Sequence, residues 1–184
     1  MKNRPPANQH PRNSRLSCPS CRTEVINWND DYIIKPVNDI LVERIKYQII
    51  DKIDDQPISI RWAGGEPFMS EAYIDLFDYI IQTGKSNIQN IIQTNGSLLQ
   101  QKQILVKRLL PYISELRISF DPASKETYKN IRVNGSWEKL LDNTVWVRDV
   151  IKRSGFATQL TADFVVQKDN YKEIPLFVKL CKEL

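Results

Sequence analysis

The chain has 184 residues, 41% hydrophobic and 26% charged, which suits one globular domain with a sizeable core and excludes a disordered or fibrous chain. No apolar run approaches the roughly 20 residues needed to cross a bilayer, and the polar, proline-bearing start lacks the apolar stretch of a secretory signal, so a cytoplasmic location with no membrane partner is expected. The net charge of +4 is concentrated in Lys2, Arg4, Arg12, Arg15 and Arg22, with no acid before Glu24 and no aromatic among them, so nucleic acid is not an expected partner.

Residues 1–13 have three prolines and no periodicity, and read as an irregular basic arm ahead of a domain spanning 14–184. Cys18 and Cys21 follow in a Cys-Pro-Ser-Cys pair, a spacing at which two thiolates can share one metal or cluster. Two unligated thiols are the alternative. Zinc is a poor fit, because His10 is the single histidine and a structural zinc site normally takes four ligands.

From Asn38 the pattern becomes periodic. Ile40, Leu41, Ile45 and Ile49 fall at helical spacing, with Asn38 or Asp39 as the cap. Ile58, Ile60 and Trp62 alternate as a strand that ends in Ala63-Gly64-Gly65-Glu66-Pro67. Ser70 caps a helix carrying Tyr73, Leu76, Phe77, Ile80 and Ile81. A short strand, Ile88 to Ile92, ends in Gln93-Thr94-Asn95-Gly96. The next helix runs from about Gln100 and stops near Pro111, which cannot donate to a continuing helix. Leu116, Ile118 and Phe120 alternate as a third strand ending at Asp121-Pro122. Helices are expected around 125–129 and 137–150, the second capped by Ser136. A strand over about 158–166 and a helix over about 171–184 complete the chain. On that last helix Cys181 shares a face with Ile174, Phe177 and Leu184, which predicts a buried thiol.

Strict alternation of strand and helix predicts an α/β domain with a parallel sheet. Such sheets place ligand sites at the C-terminal ends of their strands. Four successive strand ends here carry glycine or polar residues. Gly64 and Gly65 let the backbone approach a ligand closely, and with Glu66 beside them they suit an ammonium group better than a phosphate. A plain tight turn is the competing reading, as it is for Asn95-Gly96 and Asp121-Pro122. Ser119 points to the same side as Asp121, a pairing suited to sugar hydroxyls.

Together these segments resemble the radical S-adenosylmethionine (SAM) superfamily, in its peptide-maturase branch. Residues 13–21 resemble the cluster loop, whose pattern is cysteine, three residues, cysteine, two residues, cysteine. Ser14 stands where the first cysteine belongs, ahead of Cys18 and Cys21. Residues 61–68 resemble the Gly-Gly-Glu-Pro segment of the family, and residues 94–99 the strand end that follows it. Ile118 to Asp121, Tyr128, Arg132 and Trp137 resemble the next stretch, and Val165 to Gln167 with Asn170 and Glu173 the fifth strand and its helix.

The resemblance implies a partial TIM-like (β/α) barrel, with the first and sixth strands not evident. It implies a four-iron four-sulfur cluster and SAM, which together generate a 5′-deoxyadenosyl radical that removes hydrogen from a peptide or small-molecule substrate. An external electron donor is a further implied partner. By the same resemblance Cys18, Cys21 and Ser14 hold the cluster, while Gly64, Gly65 and Glu66 hold the methionine amino group, with Pro67 also at the cofactor. Thr94 and Asn95 adjoin them. Ser119, Asp121 and Arg132 lie near the ribose or carboxylate, and Val165 and Gln167 near the adenine. The alternative implied by Ser14 is a SAM-binding or protein-interaction scaffold that has lost its cluster.

Overall fold

Four strands hydrogen-bond in sequence order as one parallel sheet, β1 (Ile58–Trp62), β2 (Ile88–Thr94), β3 (Ile113–Ser119) and β4 (Gln159–Asp163). The computed structural model describes residues 31–53 and 57–184. Ser14, Cys18 and Cys21 lie outside the described residues, as does the basic arm. Parallel neighbours need a crossover. Helix α2 (Glu71–Thr83) joins β1 to β2, α3 (Gln103–Leu109) joins β2 to β3, and α4 (Lys125–Ile131) with α5 (Trp137–Ser154) joins β3 to β4. Helix α1 (Asp31–Arg44) precedes the sheet and α6 (Ile174–Glu183) follows it. The order 1-2-3-4 with helices between is that of a partial (β/α) barrel, as expected.

Local chemistry explains most boundaries. Ser70 and Ser136 cap α2 and α5 as predicted, each hydroxyl accepting from an amide three residues on, Tyr73 N and Lys139 N. Gly84 and Gly155 end the same two helices in the left-handed conformation. Helix α1 differs from expectation. It begins at Asp31 and passes through Asn38 and Asp39 without using either as a cap, then loosens into a π-helical stretch over Ile45–Ile50. A capping preference is a weak signal that a propagating helix overrides.

Alternate strand positions join α2, α3 and α5 in one core, where Trp62, Phe77, Ile92, Leu109, Leu116, Ile118 and Val147 are buried. The register between β2 and β3 slips once: Asn90 pairs with Ile113, but Ile91 pairs with Glu115, so Ser114 is an extra residue. The Ser114 hydroxyl donates to Asn90 O at 3.0 Å, and the Asn90 side chain accepts from Trp62 Nε1 (2.9 Å) and donates to Tyr112 O (2.9 Å). The bulge resets the alternation, so that Ile113, Leu116 and Ile118 are all buried despite the odd first step.

Cys181 overturns its prediction. It is exposed, and no residue of α6 is fully buried. That helix packs only Phe177 and Leu180 against the core, leaving Ile174, Leu176 and Val178 between 42% and 50% exposed. The helical stripe was real, but among the described residues only part of it finds a partner. No described helix is long and apolar enough to cross a membrane.

Candidate functional site

At the end of β1 the chain turns through Gly64 (φ 98°) and Gly65 (φ 59°), both in the left-handed region and both exposed. A Cβ at Gly64 would meet no atom within 4 Å, so glycine serves the backbone angle there and leaves open space over the peptide. Tyr73 anchors the turn, its hydroxyl donating to Ala63 O at 2.8 Å. Pro67 opens a 3-10 turn over Pro67–Met69, for which Glu66 is the cap, accepting from Phe68 N at 3.3 Å.

The Glu66 carboxylate is fully buried. Its Oε1 also accepts from Thr94 Oγ1 at 2.7 Å, and its Oε2 accepts from Asn95 N at 2.8 Å. It therefore ties the end of β1 to the end of β2. Burial pushes its carboxyl above the usual range, opposed by the hydrogen bonds from Thr94, Asn95 and Phe68 and by the charge of Arg132. The neighbouring turn is equally fixed. Thr94 Oγ1 accepts from Gly96 N (3.1 Å), Asn95 Oδ1 accepts from Ser97 N (2.9 Å), and Asn143 Nδ2 donates to Gly96 O (2.6 Å). The Asn143 contact reaches across from α5 and had no local signature in the sequence.

At the end of β3, Asp121 takes a left-handed φ of 66°, uncommon outside glycine and most tolerable for Asp or Asn. Its Oδ2 pairs with Arg132 Nη2 at 2.5 Å, with side chains 3% and 9% exposed. Arg132 Nη2 also reaches Ser119 O at 3.4 Å, while its Nε is buried without a partner. Asp121 Oδ1 accepts from Val165 N (3.3 Å), and Asn170 Nδ2 donates to both Asp121 O (2.7 Å) and Val165 O (2.8 Å). The ends of β3 and β4 are thus clamped together. Val165 and Val166 are exposed, Gln167 N donates to Asn170 Oδ1 at 2.6 Å, and Gln167 Nε2 is buried and unpartnered.

Glu173 completes the arrangement. It accepts from Ala123 N (2.7 Å), Ser124 Oγ (2.6 Å) and Thr127 Oγ1 (2.5 Å), placing a carboxylate at the N-terminus of α4. Burial alone would raise this carboxyl, but the bonds from Ser124, Thr127 and the amides of Ala123 and Ser124 outweigh it and hold it below the usual range.

Every predicted site residue from Gly64 to Gln167 therefore falls at the C-terminal end of a strand or on the turn or helix that follows it. Glu66, Thr94 and Asn95 form one bonded group, and Asp121, Arg132 and Ser119 another. Among the described residues no set of three or more His, Cys, Asp or Glu side chains is placed to hold a metal. Sequence reasoning passed over the polar side chains that alternate with the apolar ones along the strands: Gln93 on β2, and Glu115 and Arg117 on β3. The signal was present in Glu115-Leu116-Arg117-Ile118-Ser119-Phe120, which is polar and apolar in strict turn.

A parallel α/β sheet whose helices join successive strands, and whose strand ends carry an open glycine turn and two buried polar clusters, has the form of a partial (β/α) barrel. The family model for the Radical SAM superfamily matches residues 9–180, and the chain belongs to that superfamily. No curated protein matches the chain.

Proposed function

We propose that this chain is the core of a radical SAM enzyme acting on a peptide or small-molecule substrate. The observation that carries the reading is the set of four consecutive strand ends, three presenting groups of the right chemistry for one part of SAM and the end of β2 bracing the first of them. The open backbone at Gly64 and Gly65 suits the methionine amino group. The part-exposed Ser119 hydroxyl suits the ribose, with Arg132 and Asp121 setting its position. Exposed Val165 and Val166 beside the Gln167 amide suit a flat heterocycle. Buried and unpartnered Arg132 Nε and Gln167 Nε2 are donors that a ligand at this end can satisfy.

Glu66 acts through the turn: by holding Thr94 and Asn95 it fixes where the Gly64 and Gly65 peptides point. Cys18 and Cys21, with Ser14 in the first position, are assigned to the cluster. When bound, cluster and cofactor supply the radical chemistry, and the protein binds, orients and excludes water. An external donor delivers the electron.

Anaerobic reconstitution followed by electron paramagnetic resonance, with and without SAM, tests the reading. A reduced-cluster signal that SAM perturbs is the expected result. Failure of the wild type to take up iron, with uptake restored by Ser14→Cys, overturns it in favour of a second reading. In that reading the chain is a SAM-binding scaffold without a cluster, favoured by the harder oxygen donor at Ser14. Calorimetric binding of SAM in the absence of iron is its signature.

A further inference from the structure

Parallel sheets wound between helices are usually apolar on both faces, yet one face of this sheet is polar on every strand. The register sets Gln93 beside Arg117 and Arg117 beside Thr161, with Glu115 one step below and Asp163 one step above. At the centre the charges are already matched. Glu115 accepts from Arg117 Nη2 (2.8 Å) and from Thr161 Oγ1 (2.8 Å). The Arg117 hydrogen bond leads in holding the Glu115 carboxyl below the usual range.

The two edge strands differ. Arg61 on β1 donates to the neutral Gln93 Oε1 at 2.7 Å and makes no contact ion pair with a described residue, although its charge reaches Glu115. Asp163 on β4 accepts the amides of Phe120 and Asp121 with its backbone oxygen, while its carboxylate accepts no hydrogen bond from a described residue and its charge reaches Arg117. One face therefore carries a row of alternating charge, Arg61, Glu115, Arg117 and Asp163, in which the inner two are in contact and the outer two make no close ion pair with a described residue. Arg61 leans over β2, two strands from Asp163. At about 4.8 Å per strand, and with Asp163 two residues further along at about 3.3 Å each, the two outer charges stand roughly 12 Å apart.

We propose that this face seats a dipolar, peptide-like ligand, its carboxylate on Arg61 and its ammonium on Asp163. An extended peptide advances about 3.3–3.6 Å per residue, so three residues span about 10–11 Å and one hydrogen-bond length at an end makes up the remainder. As a statement about substrate the inference rests on the radical SAM reading. As a statement about binding it stands on the charges alone.

Triglycine, triglycine amide and N-acetyl-triglycine are the probes, titrated into the full chain and followed by amide chemical shifts. Wild type is expected to bind triglycine about tenfold more tightly than either capped form, the effect of one charge-assisted contact. Arg61→Gln should bind the free acid and the amide equally, and Asp163→Asn the free amine and the acetylated form equally. Circular dichroism melts of both variants check that the fold is kept. The proposal is overturned if wild type fails to saturate, if it does not distinguish the capped forms, or if both variants still do. SAM calorimetry on the same samples separates the two ideas: no SAM binding beside intact triglycine discrimination sinks the radical SAM reading alone.

Discussion

Replacing Glu66 by methionine keeps the length of the side chain and removes its acceptors. Two buried amides, Asn95 N–H and Phe68 N–H, and the Thr94 hydroxyl then lose their partner. Each stranded donor costs about 1–3 kcal/mol, and relief of the carboxylate's own desolvation offsets part of the sum, leaving about 3 kcal/mol. At about 2–4 °C per kcal/mol for a domain of this size, Glu66→Met should melt roughly 6–12 °C below wild type.

Glu66→Gln is the control. Its amide can place the carbonyl on Asn95 N and the NH2 on Thr94 Oγ1, losing only the longer bond from Phe68, so its deficit should stay under about 1.5 kcal/mol. The pH dependence has a fixed sign. A carboxyl raised above its unfolded value of 4.5 contributes stability below 4.5 that is lost as pH rises through the folded value. Wild type should therefore lose ground to Glu66→Gln as pH climbs from 4.5. Urea and thermal melts by circular dichroism are the assays. A Glu66→Met melt within 2 °C of wild type, or a Glu66→Gln deficit as large as that of methionine, would refute the tie between β1 and β2.

At Gly96, with φ 74°, an alanine Cβ would stand 2.9 Å from Leu140 Cδ1 and 3.0 Å from Ile118 Cγ2. Gly96→Ala should cost about 2–4 kcal/mol in a urea melt, more than Gly64→Ala, which bears the backbone strain without the clash. For Glu173, held below its unfolded 4.5, the stabilisation is present above 4.5 and lost as pH falls through the folded value. Melts of wild type and Glu173→Gln should differ at pH 7 and converge as acid is added below pH 4.5; an unchanging gap would rule out the α4 cap as its source.

The elements readable in the sequence were those with a local cause. Ser70 and Ser136 announced their helices because a cap acts within one turn. The strand beginning at Ile113 was read late, from Leu116, because the extra Ser114 breaks the alternation on which such a reading depends. Contacts between distant segments left no local trace. Glu173 reaches Ser124 across 49 positions and Asn143 reaches Gly96 across 47, and neither pairing alters the pattern around its own residue. Asp121 and Arg132 were assigned to one site by family resemblance, whereas their direct ion pair emerged only from the fold. The polar face was written plainly in β3, but attention to apolar positions hid it, since the residues that build a core and those that line a ligand face alternate in the same strand.

The bulge at Ser114 has a consequence for which kinds of sequence change β3 tolerates. Substituting this serine removes one hydroxyl contact to Asn90 and leaves the count of residues intact. Deleting it would close the bulge and leave Ile113 opposite Asn90 and Glu115 opposite Ile91 in plain alternation, with Leu116 and Ile118 still towards the helices and Glu115 and Arg117 still on the other side. The sides taken by Glu115 to Ser119 are therefore set by their own pairing with the neighbouring strands and not by the serine before them.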